Sequence, residues 1–261
     1  MTKQTQSALT EAALAKVPAV TVTFWVIKIL VTTFGETAGD TVTMSLNLGY
    51  LVGTAIFATL LAALVAMQIA AKRFHPMLYW ATIIASTTAG TTMADFATRS
   101  MGIGYPGGSL LLLGGVLASL FVWHRAMGTI SVNTVHEPRA EAYYWATITI
   151  SQTLGTALGD WIADGPLGYL GSAVIFGSII VLLAIAYYRT SISRVGLFWA
   201  AFILTRPLGA VVGDFLDKPA AHGGLELSRA GASITLGVVI LTLILALPQR
   251  AAAVEQHENG K

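Results

Sequence analysis

The sequence contains no cysteine. Disulfides, thiolate metal sites and thiol redox chemistry are therefore excluded. Charge is scarce too. Asp, Glu, Lys and Arg make up 11% of the 261 residues, against about 25% in a soluble domain. The formal net charge of +2 is too small to argue for a nucleic-acid partner. Enzyme signatures are missing: there is no GxSxG elbow, no HExxH and no phosphate-binding glycine loop followed by Lys-Ser/Thr. An intramembrane aspartyl protease needs one dedicated Asp pair, and nothing singles such a pair out. The chain is expected not to be an enzyme and to carry no cofactor.

What the sequence does have is apolar length and repetition. Hydrophobic residues make up 55% of it, as in an integral membrane protein. One pattern occurs four times: Phe24–Asp40, Tyr79–Asp95, Tyr144–Asp160 and Phe198–Asp214. Each copy is an aromatic residue, Trp, ten residues ending in Gly, then four residues and Asp. The Trp set is Trp25, Trp80, Trp145 and Trp199. The Gly set is Gly35, Gly90, Gly155 and Gly209. The Asp set is Asp40, Asp95, Asp160 and Asp214. An ungapped fourfold match of this length sets the architecture.

Eight hydrophobic segments follow, at about 17–38, 48–71, 77–97, 109–126, 142–162, 168–188, 196–215 and 230–248. Each is near the ~20 residues that cross a bilayer. Backbone groups in lipid are satisfied within the segment, so helices are expected and not strands. The expected fold is an all-α integral membrane bundle of eight transmembrane helices in four parallel two-helix repeats, each read as a hairpin. The repeats fall at about 17–71, 77–126, 142–188 and 196–248, within a single membrane domain spanning 17–248. Residues 1–16 form a polar N-terminal segment and 249–261 a frayed polar tail.

Ten Lys and Arg residues at the termini or between repeats, including Lys16, Lys72, Arg125 and Arg250, stand against three on the other side, Arg99, Lys218 and Arg229. The positive-inside rule then puts both termini in the cytoplasm. The expected location is the bacterial inner membrane. The Trp pairs open each first helix and suit an interfacial aromatic belt. The Asp comes fifteen residues later, about 22 Å along a helix, near the far end.

Four tandem units with paired hydrophobic segments and this Trp–Gly–Asp spacing resemble a bacterial membrane-protein family known as a repeat of unknown function (the DUF347 type). The resemblance covers roughly residues 17–248. It implies a polytopic membrane protein and brings no activity, so function rests on the residues.

Positions four apart share a helix face. In repeat 1 these are Lys28, Thr32, Glu36 and Asp40. In repeat 2 they are Ile83, Thr87, Thr91 and Asp95, and in repeat 3 Ile148, Gln152, Thr156 and Asp160. In repeat 4 they are Phe202, Arg206, Ala210 and Asp214. Such a stripe faces protein or a water-filled cavity. For the Thr and Gln, the plain alternative is helix–helix glue. For the Gly pairs it is close packing of helices.

Intramembrane carboxylates are functional candidates by default. With Glu36, Lys28 and Arg206 the stripe holds five carboxylates and two bases, net −3 if all are ionised. The competing account makes the Asp residues hydrated interfacial groups and makes Lys28 and Arg206 structural ion-pair partners. Asp164, Asp217 and Arg99 read as solvated loop charges. Carboxylate, hydroxyl and carbonyl oxygens without Cys or His favour hard cations.

The expected function is transport of a small hard cation, manganese or magnesium favoured, with proton coupling open. Asp40, Asp95, Asp160, Asp214 and Glu36 would bind the ion as substrate. Thr32, Thr87, Thr91, Gln152 and Thr156 would line its path, with Lys28 and Arg206 tuning the charge. The alternatives are a non-transporting membrane scaffold or sensor whose Asp residues lock the bundle, and a transporter of a small organic solute. The expected partners are the lipid bilayer, the cation and protons; a homo-oligomer is left open.

Overall fold

The computed structural model describes residues 16–252. The segments expected at 1–15 and 253–261 lie outside the described residues. Eight long helices follow in order: α1 (Val22–Asp40), α2 (Gly49–Ala70), α3 (Pro76–Asp95), α4 (Tyr105–Met127), α5 (Pro138–Ala163), α6 (Gly168–Arg189), α7 (Arg194–Asp217) and α8 (Arg229–Ala246). No strand occurs among the described residues. Local chemistry sets the starts. Thr21 accepts the Phe24 N–H at α1, and Ser193 and Ser228 do the same for Gly196 and Gly231 at α7 and α8. Each satisfies a backbone donor that the first helical turn leaves free. Pro76 and Pro138 begin α3 and α5, where a missing N–H costs nothing.

Five helices (α2, α4, α6, α7 and α8) are long and apolar enough to cross a membrane. The other three are α1, α3 and α5, the first helices of repeats 1 to 3. Their lower apolarity has a direct cause, because each carries the polar stripe on its buried face.

The first helices form a closed inner ring, α1 to α3 to α5 to α7 and back to α1. The second helices stand outside it. Each packs mainly on the first helix of the next repeat: α2 on α3, α4 on α5, α6 on α7, and α8 back on α1. The two helices of one repeat touch far less. The repeat is therefore not a self-packed hairpin. It interlocks with its neighbour, and α8 on α1 closes the circle. The outer faces are apolar and uncovered, as at Leu51, Leu111, Leu182 and Leu245. Surface of that kind suits lipid contact.

The motif glycines explain the ring. At each crossing, a Cβ on the glycine would collide with the second stripe residue of a neighbouring helix. Gly35 meets Thr87 at 2.3 Å, Gly90 meets Gln152 at 2.9 Å, Gly155 meets Arg206 at 2.2 Å and Gly209 meets Thr32 at 2.3 Å. One contact rule, applied four times, generates a pseudo-fourfold ring. The following small position repeats it, with Gly39 against Thr91 and Gly213 against Glu36. Thr33, Thr88 and Thr153 each donate to the carbonyl four residues back. That takes up their hydroxyls inside the helix. Pro207 fills the fourth place.

The Trp ends of the helices depart from expectation. The aromatic pairs do not form a lipid-facing belt. Phe24, Tyr79, Trp80, Tyr144, Trp145 and Trp199 are all buried and form one cluster across the ring with Trp123 and Phe202. Tyr79 and Tyr144 share a 2.7 Å hydroxyl contact across it. Large aromatics bury more area when facing each other than when facing headgroups. A strap then covers this layer. Pro18 and Ala251 form an antiparallel bridge, with Ala19 N–H on the Arg250 carbonyl and Ala252 N–H on that of Val17, each at 2.8 Å. Lys16 anchors the strap through Glu141 at 2.6 Å and the Ile69 carbonyl at 3.0 Å. Of the tail expected to fray from 249, the described residues 249–252 are thus tied down.

The crossing rule predicts opposite signs for one substitution. Gly155→Ala should lower stability by about 1–3 kcal/mol through overpacking. Gly177→Ala, on α6 with nothing within 4 Å of its Cβ, should be neutral or stabilising by up to ~1 kcal/mol. Thermal melting of the purified protein in detergent compares the two. Equal effects would mean that the crossings are not close-packed.

Candidate functional site

The stripe residues of the four inner helices lie inside the ring, stacked in four layers. Lys28, Ile83, Ile148 and Phe202 come first, next to the aromatic cluster. Thr32, Thr87, Gln152 and Arg206 follow, then Glu36, Thr91, Thr156 and Ala210, and finally the four Asp. All sixteen are buried.

Arg206 occupies the middle. Its side chain leaves α7 beside Gly155 of α5 and crosses the ring. Its Nη2 shares two hydrogens among three acceptors: Glu36 Oε2 of α1 at 2.9 Å, Thr91 Oγ1 of α3 at 2.6 Å, and Thr156 Oγ1 of α5. One guanidinium nitrogen therefore ties all four inner helices together. Thr91 also donates to the Gly35 carbonyl at 3.1 Å. Lys28 is fully buried and donates to Thr205 Oγ1 at 3.3 Å. Its ammonium lies 4.1 Å from the Phe202 ring centroid, a cation–π geometry.

The four Asp do not meet at one point. They divide into two pairs. Arg99, in the π-helical turn that follows α3, reaches Asp95 of its own repeat at 3.0 Å and Asp160 of α5 at 3.0 Å. Lys218 reaches Asp214 of its own repeat at 3.0 Å and also pairs with Asp40 of α1. Arg229 adds contacts to Asp217 at 3.4 Å and Asp40 at 3.8 Å. Burial disfavours a charged Lys218, but the carboxylates of Asp214, Asp40 and Asp217 outweigh it and hold its pKa above the ordinary lysine value.

The bases at this end were the part of the site the stripe did not reveal. Arg99 and Lys218 follow Asp95 and Asp214 by four residues, the spacing that brings acid and base together on a helix. That signal was present in the sequence. Arg99 and Asp217 are not the solvated loop charges expected: both enter ion pairs, while Asp164 is exposed. With them included, six carboxylates face five bases, so the −3 of the stripe alone is largely compensated.

Three carboxylates remain close. Glu36, Asp40 and Asp214 each offer an oxygen, and these lie within 4.8 Å of one another. Asp95 and Asp160 are outside this group. Asp40 Oδ1 and Asp160 Oδ1 are buried without a hydrogen-bond partner. The oxygen-only donor set fits a hard cation. Lys218 already brings a tethered ammonium to the Asp40–Asp214 pair.

The family model described as Repeat of Unknown Function (DUF347) matches residues 23–74, 78–129, 143–193 and 197–250. The chain belongs to this family. Its four matched units coincide with the four interlocking repeats of the fold, each with one inner and one outer helix. No curated protein matches the chain, and no solved structure does.

The Arg206–Glu36 pair predicts a non-additive mutant set. Glu36→Gln or Arg206→Met alone should cost about 3–5 kcal/mol, because each strands a buried charge. The double variant should lose less than the sum by at least ~1 kcal/mol. Denaturation midpoints of the four proteins measure this coupling. Strict additivity would show that the pair does not form.

Proposed function

We propose that this protein is a transporter of a small hard cation, of the manganese or magnesium type, with protons as the exchanged ion. It would lie in the bacterial inner membrane with eight spanning helices, parallel repeats and both termini in the cytoplasm. Two features support the topology. The described ends, residues 16–19 and 249–252, pair with each other at the Trp end. The Lys and Arg excess sits at that same end.

The observation that carries the transport reading is the Glu36–Asp40–Asp214 group. Its oxygens are close enough to share one ion. Like charges at this range favour a bound cation or retained protons. The Lys218 ammonium is the resident competitor. Arrival of a divalent cation would displace it, and release of protons held by the carboxylates would balance the added charge. Passage onward requires the aromatic layer and its strap to part, so transport implies a second arrangement of the Trp end.

A second reading has its own observation. Glu36 and all four Asp already sit in ion pairs. A scaffold whose carboxylates only lock the ring would look the same.

Reconstituted vesicles loaded with a metal-sensitive dye separate the two. Wild type should admit Mn²⁺ and alkalinise the lumen in step, as protons leave in exchange. Asp40→Asn with Asp214→Asn should abolish the flux. Lys218→Ala should lower the half-saturating Mn²⁺ concentration at least ~10-fold, because a tethered competitor is gone. A folded wild type that passes no Mn²⁺ or Mg²⁺, with Asp variants that are merely less stable, would favour the scaffold.

A further inference from the structure

At the Asp end, the ion pairs are shared unevenly among the four crossings of the inner ring. Two crossings are clamped. Arg99 joins α3 to α5 through Asp95 and Asp160, each at 3.0 Å. Lys218 joins α7 to α1 through Asp214 and Asp40. Arg229 of α8 adds Asp217 at 3.4 Å and Asp40 at 3.8 Å. The other two crossings, α1 with α3 and α5 with α7, carry no ion pair and no side-chain hydrogen bond in the Asp layer or beyond it, among the described residues.

The outer helices follow the same division. α2 packs on α3 and α4 on α5, whereas α6 packs on α7 and α8 on α1. Polar contacts agree. Arg99 donates to Tyr50 Oη of α2 at 3.3 Å, and Ser233 of α8 donates to Thr37 of α1 at 2.9 Å. The helices thus form two units of four: α2 to α5, and α6 to α8 with α1. At the Asp end the units are joined by two short exposed links, 46–48 and 164–167. The α7–α8 connection, inside the second unit, is instead folded back. Its Leu225 and Leu227 N–H groups donate to the Phe215 and Leu216 carbonyls at 2.7 and 2.9 Å.

The Trp end is fastened across the same two seams. Phe24 meets Trp80 at 5.6 Å between ring centroids, and Tyr144 meets Trp199 at 6.2 Å. Trp199 Nε1 donates to the Ile130 carbonyl at 2.9 Å, and Lys16 ties the strap to Glu141 of α5. Halfway along, the Arg206 layer supplies polar ties across the seams. Arg206 donates to Thr91 and Thr156, and Thr91 donates to the Gly35 carbonyl. Opening a clamped crossing would strand a buried charge. Opening a seam at the Asp end breaks no polar contact there.

We propose that the two four-helix units are the moving parts of the protein. They rock about the Trp end and open the Asp end along the α1–α3 and α5–α7 seams. The bonds of Arg206 to Thr91 and Thr156 are the latch. Each clamp travels with its own unit, so Glu36, Asp40 and Asp214 move as one body and are reached from the Asp side. Hinged rocking of packed units is an established kind of transition. The motion would serve the transport proposed above, but it is inferred from where the ties lie and does not require that an ion is carried.

The chain has no cysteine, so spin labels can be placed in pairs without background. Leu51, Leu111, Leu170 and Ile234 are exposed near the Asp ends of the four outer helices. Each is replaced by Cys in pairs, and pulsed dipolar paramagnetic resonance reads the distances in the purified full chain. The pairs 51–111 and 170–234 lie within a unit, and 111–170 and 51–234 span a seam. The seam pairs should show a second population about 4 Å longer, the separation that a tilt of about 10° gives at about 22 Å from the Trp end. Thr91→Val, which keeps the shape and removes the hydroxyl, should enlarge that population. The within-unit pairs should keep one narrow distance in both proteins. Arg99→Gln should pass the second population to the 51–111 pair; if that variant fails to fold, the other two proteins decide. Seam pairs no broader than within-unit pairs in wild type and Thr91→Val overturn the proposal. So does a second population in the within-unit pairs of wild type, or a seam population that Thr91→Val leaves unchanged.

Discussion

The structure depends on the contact between Arg206 and the three helices facing it. A guanidinium at the centre of a four-helix ring can hold all four elements only if they approach closely, and the motif glycines permit that approach. Arg206 crosses the ring beside Gly155, where a Cβ would sit 2.2 Å from its own chain. The glycine pattern and the arginine are thus one device. Small residues bring backbones together, and a planar, permanently charged fork exploits the space. Glu36 supplies the opposite charge without which a buried arginine would be untenable.

The ring starts fourfold and ends twofold. The glycine crossings and the four Asp obey the fourfold rule, and the back-bonded Thr33, Thr88 and Thr153 keep it in three repeats of four. The charges do not. Only repeats 2 and 4 place a base four residues after the Asp, Arg99 and Lys218. Each base bridges to the Asp of the following repeat, and the last repeat is followed by the first. The result is two acid pairs, Asp95 with Asp160 and Asp40 with Asp214. They are also unequal, because Glu36 joins only the second pair. Divergence of a few side chains on a symmetric backbone has made one pair a candidate ion site and left the other clamped by arginine.

The repeat, the helix boundaries to within a few residues, and the inner position of the first helices were legible in the sequence. These follow from spacing: a Trp, a Gly and an Asp at fixed intervals, and a polar face that lipid rejects. The burial of the Trp pairs was not legible. An aromatic pair at a helix start fits a headgroup belt equally well, and the difference lies in the strap formed by residues far apart in sequence, Val17–Ala19 and Arg250–Ala252. The interlocking of α2 with α3, in place of a hairpin with α1, is also long-range information. Within the site, the stripe was readable from period alone. The splitting of the four Asp into two pairs was not, because it depends on how far Arg99 and Lys218 reach across to the neighbouring repeat.

The proposed transport rests on Glu36, Asp40 and Asp214 forming one cation site that Lys218 occupies at rest. The most direct measurement is an electron paramagnetic resonance titration of the purified protein with Mn²⁺, counting the ions bound per chain. One bound Mn²⁺ per chain is expected in the wild type, and none in a folded Asp40→Asn, Asp214→Asn protein. A well-folded wild type that binds no Mn²⁺ at millimolar concentration, or a double Asp variant that binds it as the wild type does, would mean that these carboxylates are not a cation site.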